Sequence, residues 1–249
     1  MEHQIAFLPK IFLPKKNNSL FRLGSKFDGG YVVSKSDIQK SNLLLSFGIN
    51  DDWSFEKSFL NYNNIITYCF DGSLTTNFWI KYTINALVRL RINKILNFLR
   101  FKIFFNSNKH FIKKYISDLY NENHITLSEI INRYCKGYDK IFLKVDIEGS
   151  EYRILDDILL HSKKFSSVVI EFHDFDLNLD RIKNFTKSFP LKIIHIHANN
   201  YSDLNKKSIP STTEITYSYD YQNINVKKLP NEFDSPNNQY ATDYKVKFY

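Results

Sequence analysis

K-I-F-L-K-V-D-I-E-G-S-E-Y-R-I-L, residues 140–155, runs from an apolar stretch into two carboxylates and a glycine, and then into a new apolar periodicity. The first part reads as a strand buried on both faces, and the change of period after Gly149 reads as the start of a helix. Comparable runs recur at 43–49 (LLLSFGI), 65–71 (IITYCFD), 166–175 (SSVVIEFHDF), 191–198 (LKIIHIHA) and 214–219 (EITYSY). Helices are predicted between them over 53–61, 151–163 and 178–188, with Pro190 ending the last. Strands alternating with helices predict an α/β fold, a mostly parallel sheet with helices on both faces.

The composition agrees with a folded domain. Of 249 residues, 43% are apolar and 24% charged, which excludes disorder and collagen and suits a single domain. No apolar run approaches the roughly 18 residues of a membrane span, and MEHQIAFLPK at the N-terminus has no signal-peptide core, so a cytoplasmic protein is expected. Two cysteines, Cys69 and Cys135, cannot build a disulfide scaffold or a thiolate zinc site.

The net charge of +8 is unevenly placed. Gly72–Ser117 holds nine lysines and arginines and no acid, which leaves the remainder close to neutral. Within it, Ile80, Ile84, Leu87, Val88, Ile95, Leu96 and Leu99 recur at three- and four-residue steps. This predicts a basic amphipathic helical insertion at about 74–124, its aliphatic stripe packed on the domain and its basic face in solvent. The charge also admits a helix lying on the inner face of a membrane, or a lid over an anionic substrate.

Ligands of open α/β sheets bind beyond the carboxyl ends of the strands. The first run ends at Gly48, followed by Asn50, Asp51 and Asp52, of which Asp52 is placed to cap the next helix. The second run ends at Asp71-Gly72, where an acid can accept both hydroxyls of a ribose. Without G-x-G-x-x-G there is no multi-glycine phosphate cradle, so adenosine without phosphate suits the site better than a pyrophosphate cofactor. Asp146 and Glu148, two apart and on one face of an extended strand, call for a nearby cation, donor-rich ligand or metal. Glu151 falls in the first helical turn, where the helix dipole favours an acid. Glu171 and His173 share a face, as do His195, His197 and Asn199, so Asp146, Glu148, Glu171, His173 and His197 are expected at one rim.

These blocks resemble the FkbM-type methyltransferases that use S-adenosylmethionine (SAM), a branch of the class I Rossmann-like fold. The resemblance runs through RLGSKFDGGYVV (22–33), LLSFGINDDWSFE (44–56), YCFDGS (68–73), ITLSEII (125–131), KVDIEGSE (144–151), VIEFHDF (169–175), HIHANNY (195–201), PSTTEITY (210–217) and LPNEFDSPNN (229–238). It implies a seven-stranded sheet with the last strand antiparallel, and SAM over the first two strands. By position, Gly48 and Asn50 fall in the SAM loop, Asp71-Gly72 at the ribose, and Asp28, Gly30 and Tyr31 near the cofactor. The first loop is poorer in glycine than expected, and Ala198 stands where a glycine is common.

The resemblance further implies O-methylation of a hydroxyl on a sugar or glycan precursor, nucleotide- or lipid-linked, in surface polysaccharide biosynthesis. A sugar hydroxyl is a weak nucleophile and needs a base or a metal. The expectation assigns His173 as base, with Asp146 and Glu148 orienting the acceptor, and His197, Asn199 and Glu151 completing the acceptor pocket. In a metal-assisted variant Asp146, Glu171 and His197 hold Mg²⁺ or Mn²⁺. Two rivals remain. The basic, aromatic-rich segment suggests an RNA methyltransferase, although its aliphatic stripe fits packing better than base stacking. A non-catalytic partner that has kept the SAM fold is the other, and the retained carboxylates speak against it.

Overall fold

The computed structural model describes residues 4–105, 109–226 and 228–249. A seven-stranded sheet forms its centre. In chain order the strands are β1 (Leu43–Phe47), β2 (Thr67–Phe70), β3 (Lys109–Ile112), β4 (Ile141–Val145), β5 (Phe165–Phe172), β6 (Lys192–Ala198) and β7 (Thr213–Ser218). From edge to edge the order is β6-β7-β5-β4-β1-β2-β3. Only β7 opposes its neighbours; the other pairings are parallel. This is the α/β, Rossmann-like sheet expected, antiparallel last strand included.

The central strands are mostly apolar because both faces are covered. On β4, Ile141, Leu143 and Val145 enter the larger core with Leu43, Leu45 and Phe47 of β1. Phe142 points to the opposite face, against Leu44, Phe55 and Phe59. The helices are α1 (Lys35–Lys40), α2 (Ser54–Tyr62), α3 (Thr76–Val88), α4 (Ile92–Ile95), α5 (Asn97–Phe104), α6 (Leu127–Tyr134), α7 (Leu155–Leu160) and α8 (Leu179–Ser188). Ser34, Thr75 and Thr126 cap α1, α3 and α6 by accepting N–H groups of the first turn. A hairpin of Leu20–Gly24 and Gly30–Ser34 brings Asp28 and Gly29 to the carboxyl ends of the strands.

Several local expectations are revised. The 74–124 stretch contains β3, a short edge strand whose sequence, KHFI, carries too little apolar pattern to announce itself. The helical part is therefore α3–α5, and residues 106–108 of the stretch lie outside the described residues. The predicted 151–163 helix is broken into a 3₁₀ turn (Glu151–Ile154), α7 and a second 3₁₀ turn (Ser162–Lys164).

The aliphatic stripe of the basic segment is not what packs. Ile80, Ile84, Leu87, Val88, Leu96 and Leu99 are exposed, whereas Trp79 and Phe101 are buried in a third core with Ile49, Trp53, Cys69 and Leu74. Aromatic rings offer more buried area per residue, and their edge-to-face contacts, such as Trp53 on Phe101 with centroids 5.6 Å apart, decide the orientation. Among the described residues no helix is long and apolar enough to cross a membrane.

This docking has a measurable consequence. Trp79→Ala is expected to destabilise the α3–α5 unit by about 3–5 kcal/mol, read as lost amide-exchange protection there and not in the central sheet. Val88→Ser is expected to leave protection unchanged.

Candidate functional site

The carboxyl ends of β1, β2, β4 and β5 open onto a cavity of about 600 Å³. Its geometry begins at Gly48. That residue has φ +74°, and a Cβ on it would sit 1.6 Å from the Asp146 carbonyl oxygen. Only glycine lets the chain leaving β1 pass so close to the chain leaving β4. The Gly48 N–H donates to Phe70 O at 2.9 Å and the Asp146 N–H to Phe47 O at 3.0 Å, which locks three strand ends together.

Asn50 continues the loop in the left-handed region, φ 43°, which asparagine tolerates. Its N–H and that of Ile49 donate to Asp71 Oδ2 at 2.9 and 3.1 Å. Asp71 Oδ1 accepts from Ser73 N–H and Oγ–H at 2.8 and 2.6 Å. Asp71 thus lines the cavity while tying the loop after β1 to the loop after β2. Gly72 and Asp51 border the same space, and Asp52 accepts the Ser54 N–H at the start of α2.

Asp146 and Glu148 both line the cavity, although strand parity does not bring them together. β4 ends at Val145, and Glu148 takes φ 52° in the turn that follows. Glu148 faces His173, whereas the cation that Asp146 requires is Lys144, on the cavity side of β4. Its ammonium donates to Gly48 O and, at 3.2 Å, to Asp146 Oδ2. Burial opposes the Lys144 charge, yet Asp146 and Glu56 hold its pKa above the usual lysine value.

Behind this row lies Tyr31, fully enclosed, its hydroxyl 2.9 Å from both Asp146 Oδ2 and Glu171 Oε2. One phenolic hydrogen can serve one of these oxygens. Burial, reinforced by Asp146 and Glu214, raises the Glu171 pKa well above the carboxylate range. Asn199 Nδ2–H donates to Glu171 Oε1 at 2.9 Å and also borders the cavity.

His173 sits just past the end of β5. Its Nδ1 is 3.0 Å from Glu151 Oε1, and its Nε2 is 3.4 Å from Glu148 Oε2. Burial would lower its pKa, but the hydrogen bond and charge of Glu151, then Glu171 and Asp146, raise it to about 9. The stabilisation this gives is fully present below the ordinary value of 6.5 and is lost as pH rises through about 9.

Four expected site residues lie outside the cavity lining. Tyr31 reaches only the buried side of Asp146 and Glu171. Gly30 serves the hairpin, where a Cβ would lie 1.9 Å from Ser25 O. Glu151 is wholly buried and turned inward, accepting the Ile147 and Gly149 N–H groups at 3.0 and 3.2 Å; it positions His173 and does not border the acceptor space. His197 is enclosed between Asp243, 3.1 Å away, and Glu214, 3.5 Å away. Against the lowering effect of burial, these two hold its pKa well above 6.5.

The trio Asp146, Glu171 and His197 therefore cannot share a metal, because His197 is spent on other carboxylates. Among the described residues the group whose ligand atoms do gather, all within 4.8 Å of one another, is Asp146, Glu148 and His173.

Some residues at the site escaped the sequence reading. Lys144 carried a signal, since it stands two residues before Asp146 in an apolar strand. Ser73 carried one as well, two residues after Asp71. The link from Glu214 through Asn237 to Asp28, with Asn237 Nδ2–H 2.7 Å from Glu214 and 3.2 Å from Asp28, joins segments more than 170 residues apart and had none. The lining holds seven acidic side chains (Asp28, Asp51, Asp52, Asp71, Asp146, Glu148, Glu171) against Lys114, Lys144 and His173. It suits a cationic or polyhydroxylated ligand and repels a polyanion.

The model of the family described as "Methyltransferase FkbM domain" matches residues 12–202. No curated protein matches the chain significantly. Among solved structures, similarity is found to a fibrillarin pre-rRNA processing protein of Methanococcus jannaschii, at 10% identity, TM-score 0.37, covering 75% of this chain and 70% of that one. Another is a putative caffeoyl-CoA O-methyltransferase from Staphylococcus aureus, at 11% identity, TM-score 0.36, covering 74% and 80%. A third is Aeropyrum pernix fibrillarin with natively bound S-adenosyl-L-methionine, at 8% identity, TM-score 0.34, covering 84% and 86%. Similarity of that degree identifies neither substrate nor chemistry.

The His173 environment is testable directly. Glu151→Gln removes the foremost raising interaction, so the His173 ring resonances, expected to titrate near pH 9 in the wild type, are expected to titrate at least about one unit lower in the variant. An unchanged NMR midpoint would show that Glu151 does not set it.

Proposed function

The chain belongs to the FkbM methyltransferase family, and on that premise we propose that its cavity binds SAM beside β1 and β2 and methylates a hydroxyl of a sugar or glycan precursor. The observation that carries the reading is His173, oriented by buried Glu151 and facing Asp146 and Glu148 in a carboxylate-lined cavity. The donor set fits SAM. Carboxylates suit a sulfonium cation, Asp71 with the Ile49–Asn50 loop is placed for the ribose, and no phosphate cradle is needed. When bound, SAM supplies the electrophilic methyl group.

The chain's own residues handle the acceptor. With Nδ1–H donated to Glu151, neutral His173 keeps its Nε2 lone pair toward the cavity, where it takes the hydroxyl proton. Asp146, fixed by Lys144 and Tyr31, and exposed Glu148 accept hydrogen bonds from neighbouring sugar hydroxyls and orient the nucleophile. Asn199 closes the acceptor side. A divalent cation held by Asp146, Glu148 and His173 is the alternative means of activating that oxygen. The cavity receives the neutral sugar, and an anionic nucleotide or lipid carrier stays outside it. The same acidity weighs against RNA as acceptor. A precursor of surface polysaccharide, handled in the cytoplasm, fits these requirements.

The test is transfer of labelled methyl from SAM to a panel of nucleotide-linked sugars, glycans and RNA, with and without a chelator. Sugar methylation is expected. Because ligand-free His173 holds its proton at neutral pH, kcat/KM is expected to rise with pH toward a plateau past about 9. His173→Ala is expected to lower kcat by about 100-fold or more with SAM affinity nearly unchanged. Asp71→Ala is expected to weaken SAM binding about tenfold or more by calorimetry. Methylation of RNA alone, or failure to bind SAM, overturns the reading; loss of turnover on chelation replaces the base with the cation.

A further inference from the structure

We propose that the α3–α5 unit is a docking surface for an anionic phospholipid bilayer, on which the protein lies without crossing it. The unit turns two different faces in two directions. Its aromatic residues, Trp79 and Phe101 foremost, are buried against Trp53, Ile49 and Cys69. Its aliphatic residues face solvent: Ile84, Leu87, Val88, Leu90, Leu96 and Leu99 are between 48% and 85% exposed. On α3, positions 80, 84, 87 and 88 fall at helical spacing opposite 79, 82 and 86, so the exposed ridge is continuous along that helix. Water-facing aliphatic ridges of this kind cost a protein solubility unless something covers them.

The charge says what covers this one. Lys81, Arg89 and Arg91 are exposed and form no ion pair with an acid among the described residues, and no Asp or Glu occurs from Gly72 to Ser117. The connection between α3 and α4 reads Arg89-Leu90-Arg91. Leu90, 85% exposed, is held there at φ 51°, a conformation that leucine rarely adopts. An apolar tip between two guanidinium groups matches the layering of a bilayer surface, with hydrocarbon below and phosphates at the level of the arginines. An RNA partner would want the aromatic rings for stacking, and the fold has packed them, buried or partly buried, into the third core. The unit also touches the cavity loop. Lys94 Nζ lies 3.1 Å from Asp51 Oδ2 and Asn97 Nδ2–H donates to Asp51 O at 3.0 Å, so a docked membrane lies alongside the cavity.

Vesicle flotation of the full-length chain tests this without any methylation readout, so it succeeds or fails independently of the proposed activity. Vesicles of phosphatidylcholine with about 30% phosphatidylglycerol are expected to bind the protein at least about tenfold more tightly than phosphatidylcholine alone. The double variant Val88→Ser with Leu90→Asn, the latter a residue that the left-handed backbone accepts, is expected to lose most of that binding. So is Arg89→Glu with Arg91→Glu. Circular dichroism matching the wild type shows that both variants are folded.

Equal binding to neutral and anionic vesicles overturns the proposal, as does no binding at all. Undiminished binding of the Val88/Leu90 variant overturns it too, by reducing the contact to charge alone. Selective capture of polyuridylate RNA in place of vesicles would reassign the surface to nucleic acid.

Discussion

The passage of Gly48 against the Asp146 carbonyl is the constraint on which the rest of the site depends. Two central strands leave the sheet side by side at that point, and no side chain fits between them. Because Gly48 turns there, Ile49 and Asn50 present their N–H groups to Asp71, and the loops after β1 and β2 become one unit. Because Asp146 is held against the same glycine, its carboxylate projects between Lys144 and Tyr31. The cavity is a consequence of how closely two backbones approach each other.

Much of this was legible in the sequence. Six of the seven strands announce themselves as apolar-rich runs, since strands covered on both faces carry few polar positions with which to disguise the pattern. β3 was hidden because an edge strand of four residues needs little apolar content. Gly48, Asp71, Asp146, Glu148 and His173 could be placed at one rim because the parallel topology carries every strand end to the same side. The errors came from assuming that strands continue. Alternation was extended past Val145 and Phe172 into turns, and it was applied to His197 although local parity says nothing about which carboxylates from 214 and 243 will close over it. Sequence alone suggests Glu151 as a helix-dipole acid and acceptor-pocket residue; its neighbours are two N–H groups of its own turn and His173 from the end of β5.

The basic segment teaches a different lesson. Its aliphatic periodicity is real and so is its charge, but periodicity identifies a helix face without saying which face is inside. Two apolar faces competed, one aliphatic and one aromatic, and the ring of Phe101 found partners in Trp53, Phe105 and Phe111 while Trp79 packed on Phe101. The aliphatic face was left over. Electrostatically the molecule is consequently divided, with an acid-lined cavity on one side of the Asp51 loop and a cationic unit on the other.

The four hydrogen bonds gathered by Asp71 have one more implication. Every acceptor position of that carboxylate is already filled by the protein, two by loop amides and two by Ser73. In the proposed SAM site, a ribose diol that bonds to Asp71 would have to displace one of these donors, and the Ser73 hydroxyl is the one that a side-chain rotation can release. On that reading Ser73 would keep the acid satisfied while the pocket is empty, and ribose binding would be marked by the rotation of a single side chain just before α3.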